Sequence, residues 1–265
     1  RPGALAGVKY FLVPNVKNFS WMTVVSAMGQ MFYSLSIAMG ILITFGSYMK
    51  KDTAIEDSTR NVEVFDTGIA IMAGLMIIPA VFAFSGGDPD TLQAGPSLMF
   101  ITIPKVFQNM GFGTVIGIVF FLLVLFAAVT SSIALTESAV STFEDELGWG
   151  RKKATVLVGV IMLALGSLSS LGYGPLAGIK IIGMQFLDLF DFLTNSVMMP
   201  IAALLTSLFV SRVVGIDKIE EEIIHGESAF RRKKVFVVMI KYLCPVFAII
   251  ILLSSVANAL GWIKM

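Results

Sequence analysis

Six long runs of this chain contain no charged residue, and that feature constrains its fold more than any other. Residues 18–49, 67–87, 106–136, 154–179, 192–211 and 242–263 hold no Asp, Glu, Lys or Arg. A helix crosses the hydrocarbon of a bilayer in about 20 residues, so each run is long enough to do so. The 265 residues are 56% hydrophobic and only 14% charged, against roughly 25% charged in soluble domains. Such an apolar excess cannot all enter one water-soluble core, and the expected fold is an all-α membrane protein with six transmembrane helices. The lone Cys244 excludes an internal disulfide, and the lone His225 leaves no histidine-based metal cluster. A net charge of +1 lacks the cationic surface of a nucleic-acid binder, so no nucleic-acid partner is expected. An intramembrane enzyme would carry a nucleophile with its base, or a metal cluster, inside the spans. Neither is legible, and no enzyme is expected.

The basic residues orient the spans. Lys50, Lys51 and Arg60 follow the first run, and Arg151, Lys152 and Lys153 separate the third from the fourth. Arg212, Lys218, Arg231, Arg232, Lys233, Lys234 and Lys241 lie between the fifth and sixth, while Lys105, Lys180 and Lys264 stand nearly alone elsewhere. The positive-inside bias makes the three basic connections cytoplasmic and puts both chain ends outside. The expected organisation is a single membrane domain. Residues 1–17 form an outer loop, 18–49 the first span, 64–87 a helix and 88–110 an outer helical loop. Helices at 111–146, 153–179 and 186–213, a cytoplasmic loop at 214–233 and a helix at 234–263 complete it. The chain starts at Arg1 rather than Met, with Arg1–Lys17 reading as a loop, and is expected to be the C-terminal part of a longer protein. Asp217–Lys234 reads as a solvated cytoplasmic helix and turn, its basic cluster a topology signal rather than a lipid-headgroup site. The outer connection 86–111 is punctuated by Gly86, Gly87, Pro89, Gly95, Pro96 and Pro104 around the apolar Leu98–Ile101. Two readings stand for it: a helical hairpin dipping into an outer vestibule, or a segment lying in the interface.

Polar groups inside the runs carry the chemistry. The first run places Tyr33-Ser-Leu-Ser-Ile-Ala-Met-Gly40 at mid-depth. A long tilted helix whose serines bond back to the preceding turn would explain it. So would a helix unwound near Ser36–Gly40, which hydrocarbon tolerates only where the backbone is buried in protein or lines water. In the third run Ala127-Ala-Val-Thr-Ser-Ser132 is small and hydroxyl-rich, suited to close helix packing or to hard oxygen ligation of a cation such as sodium. Asp66, Glu137 and Asp191 stand at or inside the hydrocarbon, where ionisable groups are costly. Asp66 and Asp191 each have a second reading as a helix N-cap, with Asp188 a competitor for Asp191. Glu137 has no cap to form and is expected to be hydrogen-bonded.

These residues, in this order, resemble the neurotransmitter:sodium symporter family. Gln30–Gly40 with Ile43-Thr-Phe-Gly-Ser-Tyr48 is similar to that family's sixth helix, and Ala127–Ser132 with Glu144–Leu147 to its eighth. Ala94–Phe100 resembles its fourth extracellular loop and Leu187–Phe192 the start of its tenth helix. The resemblance covers essentially the whole chain. It implies helices 6–11 of an inverted-repeat fold with broken helices, the first repeat missing and 18–49 a broken helix.

Residue by residue, the resemblance implies the following. Tyr33 takes the place of the aromatic lid over the substrate. Ser34 carries a hydroxyl shared with the first sodium site, where Asp66 would be a further ligand. Ser36, Ala38, Met39 and Gly40 form the unwound substrate-binding segment, with Met39 lining the pocket. Ala127, Thr130 and Ser131 match the second sodium site, Ser131 also bordering the substrate and Leu135 forming the pocket floor. Asp191 matches the outer-gate carboxylate. The implied function is sodium-coupled symport of a small, hydrophobic amino acid by alternating access, with sodium ions as cargo and no organic cofactor. Ala38 and Met39 favour aliphatic substrates over tryptophan, and the fixed charge of Asp66 makes transport independent of chloride. The implied partners are the amino acid, the lipid bilayer and helices 1–5 of the same protein, in a multi-pass protein of the plasma membrane, the inner membrane of a bacterium. Two alternatives stand beside this: a related broken-helix transporter with another substrate, and a non-transporting membrane scaffold subunit.

Overall fold

The computed structural model describes residues 3–84 and 95–259. Its elements are helices throughout: α1 (Ala4–Leu12), α2 (Trp21–Ser34), α3 (Ile41–Ser47), α4 (Ile55–Phe84), α5 (Leu98–Gln108), α6 (Gly113–Leu147), α7 (Arg151–Leu171), α8 (Phe186–Val214), α9 (Ile216–Gly226) and α10 (Lys233–Ala259). Among the described residues, five are long and apolar enough to cross a membrane: α4, α6, α7, α8 and α10. The run 18–49 instead supplies two short helices, α2 and α3, separated by non-helical residues 35–40.

Three boundaries differ from the sequence expectation. Residues 1–17, expected as a loop, contain α1, whose Gly7 is buried beside Pro79 and Phe82 of α4. The helix expected at 64–87 begins nine residues earlier, at Ile55, because polar and charged residues in its first turns extend it beyond the charge-free run. Asp66 therefore lies in the body of α4, and the N-cap reading of Asp66 is overturned. The helix expected at 153–179 ends at Leu171, where Gly172, Gly174 and Pro175 open a series of turns. Residues 85–94, which include Gly86, Gly87 and Pro89 of the expected outer hairpin, lie outside the described residues, as do 260–265. What is described of that connection is α5.

Several helices widen locally into π-helical turns, and proline explains three of them. The turns Leu98–Thr102, Phe192–Met198 and Met239–Leu243 lie just before Pro104, Pro200 and Pro245. A proline ring clashes with the carbonyl four residues earlier and offers no N–H to it. Here those carbonyls belong to Phe100, Ser196 and Lys241, each inside its π turn, so the wider coil absorbs the clash. The fourth, Val210–Val214, closes α8, where the Gly215 N–H donates to the Val210 carbonyl at 3.0 Å.

The chain divides into two compact units, residues 1–19 with 63–132 and residues 20–62 with 133–265. In the first, α1 lies on α4 through Gly7 and the Tyr10–Phe82 ring pair, 5.1 Å between centroids. Phe107 of α5 meets Phe120 of α6 edge-to-face at 5.4 Å. In the second, α8 packs along α10, with Met199, Ala248 and Ile251 buried, and Val140, Ala154 and Val158 join α6 to α7. Many large side chains of the spans remain exposed, Leu123, Phe126, Leu163 and Leu253 among them, which suits surfaces meeting lipid or further protein.

Ser207 of α8 is 1% exposed, and its hydroxyl donates to the Ile240 carbonyl, inside the π turn of α10, at 2.5 Å. The bond ties α8 to the π turn of α10. Ser207→Ala should cost about 1 kcal/mol, read as a lowered midpoint in thermal unfolding of the purified protein; an unchanged midpoint would remove this bond from the account of α8–α10 packing.

Candidate functional site

The break in the first run is built from backbone conformation. α2 ends at Ser34, and the next three amides fold back onto it: Leu35 to the Met31 carbonyl at 3.1 Å, Ser36 to Tyr33 at 3.1 Å and Ile37 to Phe32 at 2.9 Å. Ser36, Ala38 and Gly40 then take positive φ angles of 54°, 63° and 80°. Alternating left-handed residues cannot continue a right-handed helix, so the chain is unwound until Gly40, whose carbonyl accepts from Thr44 at 2.9 Å and starts α3. Serine and alanine in that region each cost roughly 1 kcal/mol that glycine avoids. Stored strain of this kind is characteristic of functional segments. At Gly40 a side chain is also excluded by space, since a Cβ there would lie 2.7 Å from the Ser138 hydroxyl.

Below the break, α3 is seated on α6 by a polar seam. Thr44 and Ser138 are both buried, and the Thr44 hydroxyl donates to Ser138 at 3.4 Å and lies 3.3 Å from the Ser141 hydroxyl. One turn on, the Tyr48 hydroxyl donates to Glu137 Oε1 at 2.8 Å. Arg151, the first residue of α7, donates to the other oxygen of Glu137 at 2.5 Å and to Glu144 at 3.2 Å. Glu137 is thus held by two donors from two elements. Its hydrogen-bonding was legible in the sequence. Thr44, Ser138 and Ser141 were not singled out there, although Thr44/Tyr48 and Glu137/Ser141 share the i, i+4 spacing that makes one helix face.

The remaining residues expected at the site fall as follows. Tyr33 and Ser34 occupy the last turn of α2, with Tyr33 exposed, and Ser36, Ala38, Met39 and Gly40 are all half-buried in the break. Ala127, Thr130 and Ser131 lie together on α6, exposed, and Leu135 one turn further along is exposed as well. The Thr130 hydroxyl donates to the Ala127 carbonyl at 2.9 Å. That bond uses the hydroxyl proton and leaves the oxygen's lone pairs available to a cation, the arrangement a hard-ion ligand requires. Asp66 is half-buried on α4. Asp191 is exposed near the start of α8, accepting from the Asn195 amide at 2.5 Å. Tyr33, Ser34, the break, Leu135 and Asp191 belong to one compact unit, and Asp66, Ala127, Thr130 and Ser131 to the other. Among the described residues there is no cluster of three or more His, Cys, Asp or Glu able to hold a metal ion.

Comparison with known proteins adds a family. The model of the Sodium:neurotransmitter symporter family matches residues 1–262. An uncharacterized sodium-dependent transporter of Bacillus subtilis, YhdH, is 32% identical over 255 residues, covering 96% of this chain and 56% of that protein. An uncharacterized sodium-dependent transporter of Haemophilus influenzae is 30% identical over 256 residues, covering 96% and 54%. Among solved structures, that of MhsT in complex with L-phenylalanine is similar with a TM-score of 0.83 and 33% identity, over 96% of this chain and 56% of that one. The chain spans about half the length of the curated relatives it matches.

The left-handed alanine gives the break a measurable signature. Ala38→Gly should stabilise the protein by about 1 kcal/mol by relieving the φ of 63°, while Gly40→Ala should destabilise it through both φ and the Ser138 hydroxyl. Thermal unfolding of the two variants measures this; a destabilising Ala38→Gly would mean that residue 38 is not left-handed.

Proposed function

This chain belongs to the sodium:neurotransmitter symporter family, and from that premise we propose that the protein it forms part of couples sodium to uptake of a hydrophobic amino acid by alternating access. The observation that carries the reading is the unwound segment 35–40 inside a run without charge. An interruption there frees backbone N–H and C=O groups that hydrocarbon would not tolerate without partners. Those groups suit the charged ends of an amino acid and a hard monovalent cation. The similarity to MhsT, solved with L-phenylalanine, supports a hydrophobic substrate.

In this reading Tyr33 lids the substrate, Ser34 binds it from the last turn of α2, and Ser36, Ala38, Met39 and Gly40 bind it from the break. Ser131 and Leu135 border it from α6. Ser34 and Asp66 are ligands of a first sodium ion, and Ala127, Thr130 and Ser131 of a second. Asp191 serves an outer gate, where its exposed position near the start of α8 leaves it available to a cationic partner. The other ligands of these sites come from the portion of the relatives' length that this chain does not span, and the whole protein is a multi-pass membrane protein to which this chain contributes five long apolar helices and the broken pair α2–α3.

Asp66 gives the proposal its sharpest chemistry. A fixed carboxylate at a sodium site neutralises the ion without a bound anion, so transport needs no chloride. Because Asp66 lies in the body of α4 rather than at its start, helix capping does not account for it. The test is uptake of labelled L-leucine by the full-length protein in proteoliposomes, in sodium gluconate and in sodium chloride. Wild type should be active in both and inactive when potassium replaces sodium. Asp66→Asn should lower uptake about tenfold or more in gluconate, the equivalent of about 1.4 kcal/mol, with partial recovery in chloride. Wild-type activity of Asp66→Asn in both buffers would remove Asp66 from the sodium site.

A further inference from the structure

Two carboxylates far apart in sequence cap each other's helices. α4 starts after Ala54, whose carbonyl accepts from Ser58 at 3.1 Å. Alanine has no side-chain acceptor for the free amides of a first turn. Glu227, just beyond α9, fills that role from 171 residues away: its Oε1 accepts from the Glu56 amide at 2.6 Å and the Asp57 amide at 3.2 Å. In return Glu56 accepts from the amides of Arg231 and Arg232 at 2.8 and 3.1 Å, immediately before α10. Arg232 is the N-cap residue of that helix, its carbonyl accepting from Phe236 at 2.9 Å.

The geometry is a capping box split across two connections. In the ordinary box both partners sit within four residues of one helix start; here each helix start carries the other's acceptor. Glu56 is only 10% exposed, with the Arg232 guanidinium 4.0 Å away. Both helix dipoles present their positive ends to a carboxylate. Gly226 brings the backbones together: a Cβ there would lie 2.5 Å from the Thr53 carbonyl oxygen and 2.9 Å from its carbon. On the α10 side Lys233 also pairs with Glu220 of α9.

We propose that Glu56 and Glu227 are positioning residues, a reciprocal staple that holds the connection after α3 to the turn before α10 and so gives the half-helix α3 a fixed base. α3 ends at Ser47, and only residues 48–54 separate it from the stapled turn. Displacement of α3 must be taken up in that short segment or transmitted to α8–α10 through the staple. The role in transport rests on the symport reading above; the staple itself does not. Losing one carboxylate removes two bonds directly and loosens the second pair, so the two losses are not independent.

Amide hydrogen exchange of the full-length protein in lipid nanodiscs tests the staple without any transport. Wild type should protect the amides of 56, 57, 231 and 232. Glu227→Ala should expose all four by at least tenfold in exchange rate, and Glu227→Gln, which keeps an acceptor oxygen, should restore part of the protection. Glu56→Ala/Glu227→Ala should be no worse than either single variant. Exchange in Glu227→Ala confined to 56 and 57, or additive effects in the double variant, would overturn the staple. In proteoliposomes the variants should lose at least tenfold in maximal uptake rate while equilibrium binding of labelled L-leucine changes less than twofold. Unchanged maximal uptake with lost protection would overturn the positioning role. A wild type that neither binds nor takes up the amino acid would count against the symport reading and leave the exchange result to decide the staple.

Discussion

A peptide group in hydrocarbon has no water to bond, so every N–H and C=O within a span must find a partner in the protein or face a wet cavity. Much of what is irregular in this chain follows from that requirement. At Pro104, Pro200 and Pro245, where proline removes an N–H and crowds a carbonyl, the helix widens into a π turn and carries on, and in α10 a buried serine from α8 donates to the loosened segment. At residues 35–40 no such repair is made. The helix folds its last amides back, passes through left-handed residues and restarts at Gly40. Proline-driven turns keep the ladder nearly closed; the break opens it, which is why the break and not the π turns is the place to expect ligands.

An opened helix must still be held. The two halves have few residues of their own, α3 only seven, too short to be stable alone. α3 is fixed by hydroxyls rather than by a large apolar face: Thr44 to Ser138 and Ser141, and Tyr48 to a glutamate that also holds Arg151. Neutral hydroxyl bonds contribute about 1 kcal/mol each, and Ser141 and Ser47 also bond carbonyls within their own helices. Such a seam specifies register at modest cost. The charged end of it lies where α6 and α7 meet, at the side that the basic residues assign to the cytoplasm.

Of the six charge-free runs, 18–49 is two short helices; the other five fall in long apolar helices, and those were legible because such runs report directly on the bilayer. Their ends were not, because helices continue past the hydrocarbon wherever the sequence allows. α4 begins in the charged segment Ile55–Arg60, which no count of apolar residues would include, and this moved Asp66 from a helix start into a helix body. α7 ends early because glycines and a proline act before the first charge appears. α1 was missed because Gly3, Gly7 and Pro14 read as loop residues in isolation, whereas Gly7 is what lets the helix lie against Pro79. At the site, the break could be located between Ser36 and Gly40 from misplaced polar residues, but a back-bonded straight helix has the same composition. The left-handed φ angles decide between them, and the space that keeps residue 40 a glycine is set by Ser138, more than 90 residues away. The Glu56–Glu227 exchange is illegible for the same reason, since each half looks like a surface glutamate.

In the symport proposed for the full-length protein, sodium and the amino acid are bound together. Coupling of that kind is reciprocal, each ligand tightening the other by the same factor. Equilibrium binding of labelled L-leucine to the purified full-length protein, titrated in sodium and again in potassium, measures it most directly. The expected result is affinity at least about tenfold higher in sodium, with leucine raising sodium affinity by the same factor, a coupling of about 1.4 kcal/mol or more. Equal affinity in the two cations would contradict it.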